Sequence, residues 1–193
     1  VGSDTQQRSN NVYAISQDHL GYIWLGSKGE GVARSSAPIA NGTNYQNLTF
    51  NWHVPAVNDT STYANRNVYS IVEDKSHRLW LGTFGAGIFV TDLSSNNQSY
   101  KQINSSNSNL SSDQIRQIWI DGDENVWVAT TFGVNYLSRQ NIDQNKFEFK
   151  TLLHSPDNPN SLSYNDVISI FEDSKKRLWL STFGGGVNII IEG

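Results

Sequence analysis

The chain has 193 residues and a formal net charge of −4. That length fits one large domain or two small ones, and the charge leaves no basic footprint for a nucleic-acid backbone. There is no Cys, which excludes disulfides, thiolate metal sites and a Cys nucleophile.

Apolar residues make up 37% and charged residues 17%, against globular averages of roughly 45–50% and 25%. The balance is neutral and polar, with 22 Asn and 24 Ser, so long turn-rich links are expected. The 22 aromatic residues argue against disorder. The longest aliphatic run is Ile189-Ile190-Ile191, too short to span a membrane. The chain also lacks Met, which implies a start away from its initiator. The absence of Cys fits a periplasmic or extracellular address.

One pattern occurs four times. The first copy is a β-branched and aromatic run from Val12 to Asp18, then the turn His19-Leu20-Gly21, then Tyr22-Ile23-Trp24-Leu25-Gly26-Ser27. The second runs from Val68 to Asp74, turns through Lys75-Ser76-His77 and carries Trp80. The third runs from Ile115 to Asp121, turns through Gly122-Asp123-Glu124 and carries Trp127. The fourth runs from Val167 to Asp173, turns through Ser174-Lys175-Lys176 and carries Trp179. Asp-to-Trp spacing is six in every copy, and the tryptophans are 56, 47 and 52 residues apart. The Asp side chain is suited to bonding the backbone N–H groups after it and nucleating the turn.

The Trp lies on a strand, where side chains alternate faces. Trp24, Trp80, Trp127 and Trp179 therefore share a face with Gly26, Gly82, Ala129 and Ser181, while aliphatic residues fill the other face. A large ring beside a small residue predicts packing over a neighbouring sheet, and two apolar faces predict sheets stacked on both sides. Glycine turns follow at 29–31, 85–87 and 184–186, with a shorter one at 131–133, and each opens a third strand. Fourth strands are expected within 48–52, 99–103 and 147–152. No helical period is visible.

Four antiparallel strands per unit of about 50 residues is the repeat of a β-propeller. The reading is one all-β propeller over 1–193, with blades at about 11–52, 67–103, 114–152 and 166–193. The last blade stops after its third strand. The expectation is an open segment of a larger ring, with apolar faces exposed at both ends and self-association a consequence.

The repeated I-x-x-I-x-x-D, short turn, [IVL]-W-[ILV]-G-[ST] and glycine turn resemble the two-component regulator propeller repeat. The lead-ins Asn109-Leu110-Ser111 and Asn160-Ser161-Leu162-Ser163 resemble that family's N-S-L-S. Copy three departs most, with Arg116 where the others carry Tyr or Ile, and Ala129 in place of Gly. The resemblance implies a segment of a seven-bladed propeller in the periplasmic sensor region of a hybrid two-component histidine kinase. It also implies a role in signal transduction and transcription regulation, with oligosaccharides as ligands. The implied partners are an oligosaccharide, the other blades or a second copy, with no nucleic acid and no membrane contact in this segment. No cofactor is implied.

The recurring Asp18, Trp24, Asp74, Trp80, Asp121, Trp127, Asp173 and Trp179 read as turn and packing residues. Ligand contacts are expected where the links between blades meet the glycine turns. Lys28, Glu30 and Arg116 break the repeat there and are the sharpest candidates. Arg66, Asn67, Tyr164 and Asp166 join them as polar or aromatic link residues. Phe84, Phe132 and Phe183 offer stacking faces, but their recurrence before the turn glycine favours a capping role. Asp121 to Asn125 resembles the start of a calcium loop, yet Val126 and Phe132 stand at its sixth and twelfth places, so an acidic hairpin is the better reading. His19, His53, His77 and His154 show no ligand spacing and are expected to be exposed. No metal or catalytic residue is assigned. The rival readings are a sialidase-like carbohydrate-active enzyme and a protein-interaction scaffold. Against the enzyme, Asp-to-Trp spacing is six and not five, and Glu30, Asp113 and Asp166 supply no evident carboxylate pair.

Overall fold

The computed structural model describes residues 11–40, 43, 45–57, 63–95 and 99–191. Its strands fall into four sheets, each a four- or three-stranded antiparallel meander. Blade 1 holds β1 (Val12–Gln17), β2 (Ile23–Ser27), β3 (Val32–Ser35) and β4 (Phe50–His53). Blade 2 holds β5 (Val68–Glu73), β6 (Arg78–Thr83), β7 (Ile88–Asp92) and β8 (Lys101–Ile103). Blade 3 holds β9 (Ile115–Ile120), β10 (Val126–Thr130), β11 (Gly133–Leu137) and β12 (Lys150–Leu152). Blade 4 holds β13 (Val167–Glu172), β14 (Leu178–Thr182) and β15 (Gly186–Ile190).

The first hairpin of every blade closes on the same carboxylate. Asp18 Oδ1 accepts the N–H groups of Leu20 and Tyr22, and Oδ2 accepts the Trp24 indole N–H at 2.9 Å. Asp74, Asp121 and Asp173 repeat this with Trp80, Trp127 and Trp179 at 3.0, 2.8 and 2.8 Å. The last turn residue has positive φ in each case: Gly21, His77, Glu124 and Lys176. A three-residue loop ending in a left-handed residue matches the twist of the strands. The carboxylate contributes the acceptors that hold His77, Glu124 and Lys176 in that conformation at a cost of about 1 kcal/mol or more each.

The indoles lie in the seams between blades. Trp24 packs with Ile71, Leu79 and Leu81 of blade 2. Trp80 packs with Ile115, Ile118, Val126 and Val128 of blade 3, and Trp127 with Val167, Ile170, Leu178 and Leu180 of blade 4. Each such fully buried aliphatic side chain contributes about 1.5–3 kcal/mol. The small residue beside each Trp is a steric requirement. A Cβ on Gly26 would stand 2.7 Å from the Val68 carbonyl oxygen, and one on Gly82 2.7 Å from Ile115 Cγ2.

A second set of bonds joins the blades at the glycine turns. Gly29 and Gly31 donate to the Arg66 carbonyl, Gly85 and Gly87 to that of Asp113, and Gly133 to that of Asn165. Each acceptor lies two residues before the first strand of the next blade. The lead-in serines dock similarly: Ser111 N–H donates to Asn135 Oδ1 and Ser163 N–H to Asn188 Oδ1, with Leu110 and Leu162 buried beneath.

The arc is open. Ile15 holds the place in blade 1 that Ile71, Ile118 and Ile170 hold in later blades, yet it is 71% exposed while they are buried. Phe171, Val187 and Ile189 are exposed on blade 4. One feature departs from the sequence reading. A single helical turn, α1 (Arg139–Asp143), follows blade 3's third strand, capped by Ser138, whose side chain accepts the Asn141 N–H. Five residues are too few to show a 3.6 period, and the turn buries Ile142 in the core.

Two tests follow from this packing. Gly87 and Gly186 both have positive φ, but a Cβ on Gly87 would meet the Ile103 carbonyl oxygen at 2.3 Å, whereas nothing lies within 4 Å at Gly186. Gly186→Ala is expected to lose about 1 kcal/mol in urea unfolding and Gly87→Ala at least twice that. Equal losses would show that the outer strand does not press on the turn. The Arg177 guanidinium, then the Trp179 indole, hold the Asp173 carboxyl well below its ordinary 3.8. A depressed carboxylate stabilises above its unfolded value and loses that contribution as pH falls through the folded one. Wild type is therefore expected to exceed Asp173→Asn in stability at about pH 7, with the gap narrowing steadily below about pH 4. A gap independent of pH would contradict this.

Candidate functional site

The first strand of each blade contains a β-bulge at one fixed place. Val12 pairs with Ser27 and Ala14 with Gly26, which leaves Tyr13 unpaired. Tyr69, Arg116 and Ile168 are the extra residues in blades 2, 3 and 4. A bulge turns its extra side chain away from the regular alternation. Here all four bulge residues face one groove. They line this groove, of about 410 Å³, with Gln117 and Trp119. The Trp119 indole N–H is buried and has no acceptor among the described residues.

Three of these bulge residues belong to a ladder that crosses the blades. Tyr13 stacks on Tyr69 at 4.5 Å with planes 4° apart, and Tyr69 stacks on Phe84 at 5.2 Å. The Arg116 guanidinium lies 5.1 Å from the Phe84 ring centroid. It then grips Asp166 through two bonds, Nε to Oδ1 at 3.2 Å and Nη2 to Oδ2 at 2.9 Å. The aromatic faces, the fork of N–H donors and the carboxylate thus lie along one surface. Such a surface stacks on flat apolar faces and bonds hydroxyls at its polar end.

The structure brings Phe84, Arg116 and Asp166 together and places the other candidates differently. Phe132 and Phe183 are 50% and 69% exposed and stand outside the ladder. Tyr164 is exposed beside the blade 4 turn, its Cβ near Gly185. Lys28 bridges to Asn67 through the backbone, and its side chain is exposed. The Glu30 N–H donates to Ser27 Oγ. Arg66 and Asn67 offer their carbonyls to turns of blades 1 and 2, so their visible role is structural. Tyr13, Tyr69, Gln117, Trp119 and Ile168 are groove residues that sequence reasoning missed. For Tyr13, Tyr69 and Ile168 the signal was the second place of each first strand, noted at Arg116 alone.

The histidines are partnered. His53 Nε2 lies 2.6 Å from the Tyr100 hydroxyl, His154 Nδ1 2.6 Å from the Leu162 carbonyl, and His19 stacks on His77. The Asp121 oxygens accept the turn, the Asn125 side chain and the Trp127 indole, which makes this segment the acidic hairpin. A second cleft of about 130 Å³ lies between Trp127, Tyr136, Lys176 and Ile190. It is below the roughly 300–1,000 Å³ of ordinary ligand sites.

Residues 6–29, 62–85 and 161–184 match the family described as two component regulator propeller. The three matched segments each take in one first strand, one Asp–Trp hairpin and the first glycine of the following turn; copy three, with Arg116 and the short turn, is not among them. The chain is 27% identical over 113 residues to histidine kinase P4 of Formosa agariphila, covering 57% of this chain and 8% of that protein. The extracellular domain of the hybrid two-component system BT4673 from B. thetaiotaomicron superposes with a TM-score of 0.71 at 20% identity, over 96% of this chain and 22% of that one. Virginiamycin B lyase from Staphylococcus aureus superposes with a TM-score of 0.56 at 10% identity, over 93% of this chain and 55% of that one. These likenesses show the propeller fold, and the chain spans 8% of the histidine kinase and 22% of the BT4673 domain.

The Arg116–Asp166 contact is measurable by itself. Both groups are partly exposed, so a double-mutant cycle of Arg116→Ala and Asp166→Ala is expected to give a coupling of about 0.5–1 kcal/mol. A coupling near zero would mean that the pair does not hold the guanidinium in place.

Proposed function

We propose that this chain is part of the extracytoplasmic ligand-sensing propeller of a hybrid two-component regulator, located in the periplasm, and that its axial groove binds an oligosaccharide. The observation that carries the reading is the set of aligned bulges, which presents Tyr13, Tyr69 and Arg116 along one groove. Pyranose rings have apolar faces that stack on aromatic rings, and their hydroxyls suit the Arg116–Asp166 fork. The repeats and the histidine-kinase relative support the sensor class. The exposed faces of blades 1 and 4 are covered by further blades of a seven-bladed ring or by a second copy. Ligand binding then shifts the population between two arrangements of the sensor.

Turnover is the rival activity, since the fold also hosts a lyase. Asp166 is committed to Arg116 by two hydrogen bonds, which favours holding a ligand over moving a proton. The discriminating experiment screens the chain by thermal shift against plant and host oligosaccharides, then re-analyses each mixture for cleavage. A bound sugar at 100 times its Kd stabilises by about 2.7 kcal/mol. Binding without cleavage is expected, with Kd raised at least tenfold by Tyr69→Ala and by Arg116→Ala, about 1.4 kcal/mol each. Cleavage would replace the sensor reading with an enzyme. Binding untouched by both variants would move the site elsewhere.

A further inference from the structure

At the opposite end of the blades, the Asp–Trp turns form a second line of contacts between neighbours. In each seam a glutamate of one blade accepts the backbone N–H that follows the turn Asp of the blade before it. His19 N–H donates to Glu73 Oε2 at 2.7 Å, Lys75 N–H to Glu124 Oε2 at 2.9 Å, and Gly122 N–H to Glu172 Oε2 at 2.8 Å. In the seam between blades 2 and 3 the carboxylate also meets permanent cations. Lys75 Nζ is 2.8 Å from Glu124 Oε1, and Arg139 Nη1 is 3.6 Å from Oε2.

The seam between blades 1 and 2 is built from different chemistry. Glu73 Oε1 faces two imidazole nitrogens, His19 Nδ1 at 2.5 Å and His77 Nδ1 at 3.1 Å. The rings stack with centroids 3.7 Å apart, and one ligand atom from each of the three residues lies within 4.8 Å of the others. The Glu73 side chain is only 10% exposed. Among the described residues no Lys or Arg side chain pairs with this carboxylate, unlike Glu124 in the next seam.

We infer that His19, Glu73 and His77 form a binding site for a divalent transition-metal ion of the Zn²⁺ class, joining blade 1 to blade 2. Two imidazoles and one carboxylate are a ligand set of tetrahedral zinc with the fourth position open to water. Bonds of about 2.0–2.2 Å place tetrahedral ligand atoms about 3.3 Å apart, so small rotations of the half-exposed rings suffice. The His19 backbone N–H on Oε2 orients the carboxylate from behind, the outer-shell support that metal ligands use. Nitrogen ligands select zinc, copper or nickel over calcium or magnesium.

The test is calorimetric titration of the 193-residue chain with ZnCl₂ after removal of bound metal by EDTA. One equivalent is expected to bind. His19→Ala, His77→Ala and the milder His77→Gln are each expected to weaken binding at least tenfold, while His154→Ala leaves it unchanged. Zn²⁺ is expected to raise the melting temperature of wild type and not of the His variants, whose circular dichroism without metal reports folding. No binding by wild type, or affinity unchanged in the folded His variants, would overturn the site and leave a hydrogen-bonded contact in its place.

Discussion

A buried indole N–H needs an acceptor, and in this chain four carboxylates supply one. Each Asp closes a hairpin with one oxygen and anchors a Trp six residues on with the other. The two tasks are inseparable, because the turn sets the reach of the carboxylate and the indole fixes its direction. An unpaired buried donor costs about 1–3 kcal/mol, so the hairpin and the Trp orientation are held together. The oriented indole then fills the seam against the next blade, and the Gly or Ala beside it admits that blade's first strand. One local interaction thus sets the spacing between sheets.

Closely spaced first strands bring their bulges into line. Tyr13, Tyr69, Arg116 and Ile168 are each the extra residue of a bulge at the same distance before the turn Asp. The seam packing gives those bulges a common orientation, which makes a ladder of side chains 47–56 residues apart in sequence. The scaffold is therefore repetitive while the surface it presents is not. Arg116 is the clearest instance: it stands where copies one and two carry Tyr, and it ends the aromatic run with a charged fork held by Asp166.

The comparisons fit this division. The segments matching the two-component regulator propeller family are those that hold the hairpin and the glycine turn, which are the structural parts of each repeat. Copy three keeps the Asp121–Trp127 bond and lies outside the matched segments. A propeller of 10% sequence identity superposes over most of the chain, because an antiparallel blade needs only its packing faces and turns. The chemistry of the groove depends on side chains that the fold leaves free to vary.

The sequence by itself determined the blade pattern, the four strand–turn–strand units, the packing role of Gly26 and Gly82 beside their tryptophans, and the open arc. Those follow from period-two alternation and from turn chemistry, which act over a few residues. It did not show that the second Asp oxygen takes the indole, because a spacing of six says nothing about direction until the hairpin is closed. It pointed to Arg116 but missed Tyr13 and Tyr69 at the same place of the repeat, since their bulges come from pairing between strands. Only the tertiary structure joined Arg116 to Asp166, 50 residues on, and His19 to His77, 58 residues on. Those contacts depend on how one blade is rotated against the next, and that rotation is set by packing in the seam.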